Sequence, residues 1–387
     1  MAVTKKSSIL ARLSCAALSL PAIAMQAQAA RIDEEIHTDF QLGHYSESDQ
    51  RMEIDIYEVS LSAPVGEKMS LNLGLIKDVI SGASPMFNIK DADGNVKQIL
   101  SGASIKEERN VVDLGMNYYF DQVDLGFSVG VSEEYDYLSE YMQTGLSWDL
   151  NNKMTTLFSS LSLAWDDIEP TGKNFTEKKK KQQLSMGLTQ ILSEKSLFSS
   201  NLSYSKDSGY LSDPYKSVFF TSSGLAADFR PDSRYKWSWL NRYIYSFAQF
   251  NHAALHFDYR FYHDSWDINA HTFEIKWHQP INQGWELVPR LRYYSQDAAN
   301  FYQPYFNSVD NQDFYSSDYR MANFGAISMG LNITKELYQS SSTSKFDFRA
   351  GIEYYDRKAS YQLGSGNSDN FADYDSYLMS VSIKYSF

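Results

Sequence analysis

The sequence predicts an all-β fold, a transmembrane antiparallel up-and-down β-barrel of about sixteen strands, and three observations carry that reading. The 387 residues are 43% hydrophobic, yet their mean hydropathy is −0.43. Apolar residues recur at every second position in segment after segment, with Gly, Ser, Asn or charges between them. The chain also ends on an aromatic, Phe387, which closes the most regular of these segments. A spanning helix needs ~20 consecutive apolar residues, and no run past residue 30 approaches that length. Strands with one face to lipid and one to water reconcile a high apolar content with a polar average.

In chain order, the first element is a leader. Lys5, Lys6 and Arg12 precede an apolar stretch from Leu13 to Ala24 and a small-residue site, Ala27-Gln28-Ala29. This is the layout of a secretory signal, expected to leave after about Ala29, so that residues 1–29 are signal and 30–387 the barrel. Removing three basic residues takes the formal charge from −13 to −16, and the one Cys, Cys15, leaves with the leader. Disulfides, thiol chemistry and Cys-ligated metals are thereby excluded. The acidic balance also excludes nucleic acid as a partner.

The strands follow. Met69, Leu71, Leu73 and Leu75 alternate with Ser70, Asn72 and Gly74; Val112 to Phe120 and Val123 to Val131 repeat the pattern around Asp121-Gln122. Further runs centre on Phe257, Ile275, Leu291, Met329 and Phe348, and the last is Tyr377, Met379, Val381, Ile383, Tyr385 and Phe387. Strict alternation marks a strand with one apolar and one wet face. Short connectors (Pro64–Lys68, Asp121–Gln122, Asn151–Lys153, Ser193–Ser196, Ala248–Asn251, Gln279–Gly284 and about Tyr338–Ser344) take turns with longer ones. The longer ones lie near Ser46–Arg51, Ser132–Ser139, Glu169–Lys180 and His263–Asn269, with the largest about 81–110, 207–234, 298–320 and 356–375. The alternation gives sixteen strands from near Glu35 to Phe387, fourteen or eighteen being the neighbouring counts because the first two strands and Glu134–Met142 are weakly patterned. Short turns are periplasmic and long loops extracellular in such barrels. Phe120, Trp148, Phe247, Trp277 and Trp285 sit beside short turns, as a headgroup-level girdle requires.

Three stretches resemble hallmarks of a family of uncharacterised proteobacterial outer-membrane β-barrel proteins, catalogued as a domain of unknown function. They are Asp78-Val-Ile-Ser-Gly-Ala-Ser-Pro85, Pro231-Asp-Ser-Arg234 and Arg292-Tyr-Tyr-Ser-Gln-Asp-Ala-Ala-Asn-Phe-Tyr302. The resemblance covers nearly the whole mature chain and implies a secreted barrel of the Gram-negative outer membrane. It transfers no activity and no functional residues. Its setting beside flavin-transferring and thioredoxin-like proteins implies an envelope redox context. The terminal Tyr385 and Phe387 resemble the strand signal read by the barrel-assembly machinery.

The candidate functional residues are the charges on the wet phase. Lys236, Arg242, Arg260, Lys276, Arg290, Arg292, Arg349 and Lys384 share it in the C-terminal half, and Asp78, Asp113 and Asp124 in the N-terminal half. An Arg or Lys turned to lipid at the midplane costs about 2–4 kcal/mol, so the shared phase is a physical constraint. Two readings follow: a transverse field across a water-filled lumen, or a salt-bridge network bracing the wall with Asp258, Glu274, Glu286, Asp347 and Glu353. One breach is Asn241, which falls on the lipid phase of its strand.

Other motifs carry less. His263-Asp264-Ser265 stands at an extracellular strand end, but adjacent strand residues face opposite sides, so no His–Asp dyad is expected and no catalytic residue is assigned. Asp91-Ala-Asp-Gly-Asn95 opens like a Ca²⁺ loop, but Val96 and Gly102 occupy the positions that need Gly and Glu. It reads instead as a hairpin tip in a flap bracketed by Ser-Gly-Ala-Ser at 81–84 and 101–104, with no metal and no cofactor. Lys178–Lys181, read as an outer loop, is a candidate contact for lipopolysaccharide phosphates or a solvated charge cluster. The expected function is a passive water-filled channel for small solutes and not an enzyme. The alternatives are a barrel scaffold for a periplasmic or surface partner, with a redox link, and then a surface hydrolase.

Overall fold

A computed structural model describes residues 35–387 except 83–84, 92, 94–95, 101–104, 311, 340–343 and 365–372. The leader, the hinge repeat at 101–104 and most of the Asp91–Asn95 tip lie outside the described residues.

Sixteen strands close into one antiparallel barrel. In chain order these are β1 (His37–Glu47), β2 (Met52–Val65), β3 (Met69–Gly82), β6 (Ile105–Tyr119), β7 (Val123–Glu134), β8 (Tyr137–Leu150), β9 (Thr155–Ile168) and β10 (Glu177–Ser193). There follow β11 (Ser196–Gly209), β14 (Ser233–Phe247), β15 (Ala253–Asp264), β16 (Asn269–Ile281), β17 (Trp285–Gln296), β18 (Phe324–Gln339), β19 (Lys345–Lys358) and β20 (Tyr374–Ser386). Two hairpins stand in the long loops: β4 (Pro85–Lys90) with β5 (Val96–Leu100), and β12 (Ser217–Phe220) with β13 (Gly224–Ala227). Each barrel strand pairs with its neighbour in sequence, and β20 closes on β1 with Val381 opposite Leu42 and Ile383 opposite Phe40. The terminal aromatic seals that seam: the Phe387 amide donates to the Ile36 carbonyl at 3.0 Å, and the Ile36 amide returns the bond at 2.8 Å.

Register fixes what faces lipid. Leu42, Leu114, Phe127, Leu146, Leu161, Met186, Trp239, Phe257, Met329 and Val381 lie on the outward phase and are exposed on the isolated barrel. Lipid covers them in place. Ionic pairs such as Lys77–Glu108 at 2.9 Å and Lys178–Asp167 at 3.0 Å lie on the same phase near the extracellular strand ends and mark where the apolar band stops. At the other rim, Phe247 packs on Trp277 with ring centroids 5.3 Å apart, and Tyr118 on Phe120 at 4.7 Å. Short turns there adopt left-handed backbone at Asn151, Asn152 and Lys153, and at Asn251 and His252, where Asn tolerates a positive φ best.

Three connectors differ from the sequence reading. The loops expected near Ser46–Arg51, Ser132–Ser139 and His263–Asn269 are tight, because the strands run on past the membrane: β7 ends at Glu134 and β8 begins at Tyr137. Lys178–Lys181 likewise belongs to β10 rather than to a loop. Its alternation sends Lys179 and Lys181 inward to Asp166 at 3.2 and 2.9 Å, whereas Lys178 pairs outward with Asp167.

Candidate functional site

All eleven candidate charges fall on the lumen phase of the register, and Asn241 on the outward phase. Two walls differ in how they fill that phase. Along β3 to β11 it carries small groups: Asn72, Gly74, Gly115, Gly126, Ser128, Gly145, Ser160, Ser185, Gly187 and Ser203. A Cβ at Gly130 or Gly187 would collide with the ring of Tyr141 or Phe158, so either ring would have to move to admit another residue. A ring over a glycine fastens adjacent strands without projecting into the lumen.

Along β14 to β20 the wall is ionic. Arg242 grips Asp258 through two bonds of 2.8 and 2.6 Å. Glu274 accepts from Lys276 at 2.7 Å and from Arg290 at 2.6 Å, and Arg290 reaches on to Glu353. Lys236 meets Asp207 at 2.7 Å, and Arg349 lies 3.6 Å from Asp39. On the other wall Asp78 is paired with Arg109, and Asp113 accepts the Tyr141 hydroxyl. Much of the charge is therefore braced across strands. Among the described residues Arg260, Arg292, Lys384 and Asp124 make no ion pair.

The long-loop mouth holds a feature that alternation does not reveal. The described residues of loops 297–323 and 210–232 and the hairpin β4–β5 fold onto one another. Val218, Phe220 and Phe306 form one apolar cluster, with the Phe306 amide donating to the Phe219 carbonyl at 2.9 Å. Trp266, Ile268, Phe301, Tyr302 and Met321 form another. Between strands and loops runs a buried ionic network. Arg230 bonds Asp228 at 2.7 Å and Asp318 at 2.8 Å, and Arg320 bonds Asp318 and, at 2.6 Å, Asp213. Burial opposes the Asp318 charge, but Arg320, Lys216 and Arg230 outweigh it and hold the carboxyl well below the usual carboxylate range. Burial also lowers the Lys216 ammonium, against the pull of Asp318 and Asp213.

This cap touches rims on opposite sides. Arg357 of β19 donates to the Tyr319 carbonyl at 2.5 Å, and Gln296 of β17 to the Ala322 carbonyl at 2.6 Å. Arg51, beyond β1, lies 5.4 Å from the Tyr319 ring centroid. Across the mouth the Tyr215 hydroxyl donates to Asp136, between β7 and β8, and accepts from the Thr171 amide at 2.8 Å. There the carboxylates of Glu107, Glu134 and Asp136 gather within 4.8 Å of one another. The flap is part of the cap: Lys216 donates to the Pro85 carbonyl, and Asn88 to the Pro304 carbonyl at 3.0 Å.

The three stretches that carry the family resemblance meet here. Pro85 anchors Lys216, Arg234 bonds Asp264 and stacks 4.2 Å from the Trp266 ring centroid, and Ala299, Phe301 and Tyr302 join the Trp266 cluster. Asp264 is fully buried and holds its own turn, accepting from the Trp266 amide at 2.9 Å; His263 points outward to Asn269. The residues missed from sequence are Asp213, Lys216, Asp228, Arg230, Asp318 and Arg320. Their signal was only that charges sat among aromatics in loops too long for simple turns.

A family model described as "Protein of unknown function (DUF3570)" matches residues 10–176 and 173–379, and the chain belongs to that family. No curated protein matches it. Among solved structures, a bacterial polysaccharide outer membrane secretin is 7% identical with a TM-score of 0.51, over 91% of this chain and 98% of that one. CdiB from Acinetobacter baumannii is 12% identical with a TM-score of 0.47, over 91% of this chain; this chain spans only 60% of its length. OprD from Pseudomonas aeruginosa is 9% identical with a TM-score of 0.45, over 94% and 97% of the two chains. The likeness is one of fold, that of outer-membrane barrels.

Proposed function

We propose that this member of the DUF3570 family is an outer-membrane channel for small solutes, passive in mechanism, whose outer mouth is narrowed by its own folded loops. The observation that supports it most is the contrast between the two lumen walls. A barrel filled by a packed core would need large apolar side chains inward on every strand. Here β3 to β11 turn many Gly, Ser and Asn residues inward beside a few large ones such as Tyr141 and Phe158, and the facing wall is ionic. Such surfaces are stable against water and poorly suited to packing against each other. Small inward groups leave width, and charged ones select what passes.

The test is single-channel recording of the purified protein in planar bilayers. Discrete conductance steps are expected. Their absence from protein that still shows heat-dependent migration on a denaturing gel contradicts the reading. A scaffold for a partner is the second reading, favoured by the ordered surface that the cap presents; co-purification in mild detergent separates the two.

A further inference from the structure

Arg260 on β15 and Arg292 on β17 face the lumen two strands apart, just inside the cap. Two strand spacings and a two-residue offset put their backbones roughly 12 Å apart, within reach of one small ligand for side chains as long as arginine. Between them runs β16. Thr272 on that strand lies opposite both Arg260 and Tyr294, and Glu274 lies opposite both Asp258 and Arg292.

The register alone would neutralise this site, because Glu274 is the direct cross-strand partner of Arg292. The side chains refuse that pairing. The Glu274 carboxylate is taken by Lys276 at 2.7 Å and Arg290 at 2.6 Å, and Asp258 is taken by Arg242 at 2.6 Å. Both acids are thus spent on the periplasmic side of the pair. Among the described residues neither Arg260 nor Arg292 makes an ion pair. Arg260 is also solvent-exposed on its lumen face. On the same wall Tyr294 shares the row of Arg260, and Tyr355 stands one Ser328 away from Arg292. Two guanidiniums without an ion pair in adjacent rows of the wall, beside phenols, offer planar forks that match an oxyanion.

We infer that Arg260 and Arg292 form an oxyanion-binding subsite in the upper lumen, for a small solute carrying a carboxylate or a phosphate. The inference rests on the water-filled lumen proposed above, and binding can be measured apart from conduction. Titration calorimetry of the folded protein in detergent, with inorganic phosphate in one arm and succinate in the other, reads the site directly. Chloride at equal ionic strength is the reference. Saturable binding in at least one arm is expected, weakened about tenfold or more in Arg260→Gln with Arg292→Gln. The Arg349→Gln variant, which releases only Asp39 on β1, should bind as the parent does, and heat-dependent migration of each variant checks its fold. No saturable binding in either arm overturns the subsite, as does equal binding by the double variant. A barrel that conducts but fails this test keeps its channel and loses its subsite; one that binds without conducting does the reverse.

Discussion

An arginine against a carboxylate occurs in two settings in this molecule, in the lumen wall and in the cap. Arg242 and Asp258 meet on a wall whose side chains are about a third and an eighth exposed, at 32% and 12%. Arg230, Arg320 and Asp318 meet where Asp318 is wholly buried, its side chain 0% exposed. A half-wet pair gains little net energy, since water competes for both ions. A buried network is worth little as a whole against an apolar replacement, yet losing one member strands charges with nothing to neutralise them. Losing a wall pair should therefore cost little, whereas losing a member of the cap network should decide whether the mouth stays folded.

Arg320→Ala should have the largest effect. It leaves Asp318 and Asp213 short of a partner and should loosen the cap by about 3–5 kcal/mol, read as faster hydrogen exchange in residues 297–323 with the barrel strands unchanged. Uniform exchange across barrel and loops would erase the distinction between the two settings.

Acid gives a smaller effect, with a definite sign. The folded Asp318 carboxyl is held well below its usual range, so its contribution persists above the ordinary value near ~3.9 and is lost only as pH falls through the lower folded value. Asp228 shifts the other way, raised by burial in spite of Arg230, so acid favours its folded form. The cap should hold at about pH 4.5 and loosen only in stronger acid, again by exchange in 297–323. Loosening already at pH 5 would break the assignment.

Arg242→Ala is the mild case. A stability change of about 1 kcal/mol or less is expected, seen as a small shift in the temperature at which gel migration changes. A loss as large as that of Arg320→Ala would mean that the wall, too, is a buried lock.

The fold was legible where the two faces differ, and obscure where they do not. From β6 to β7, Val, Leu and Phe alternate with Asp and Gly, and the phase is unmistakable. On β2 it blurs because Met52 and Ile54 are buried on the lumen side while Tyr57 and Leu61 face outward, so both faces are apolar. Lys178–Lys181 misled for the opposite reason: four like charges have no phase, and only pairing with β9 shows that they alternate in and out. The lumen charges were readable as a set from their shared phase. Which were braced and which left free was not, because Glu274 chooses among three cations within reach by side-chain geometry rather than by register. The cap was the least legible part. Its contacts join Pro85 to Lys216 and Asp213 to Arg320, residues more than a hundred positions apart in loops without periodicity.

A water-filled lumen behind a loop cap is best tested by the conductance of Arg320→Ala against that of the parent. Discrete steps are expected in both proteins and larger ones in the variant, with heat-dependent migration retained. Silence from both folded proteins, or identical conductance after the cap has been shown to loosen, would contradict it.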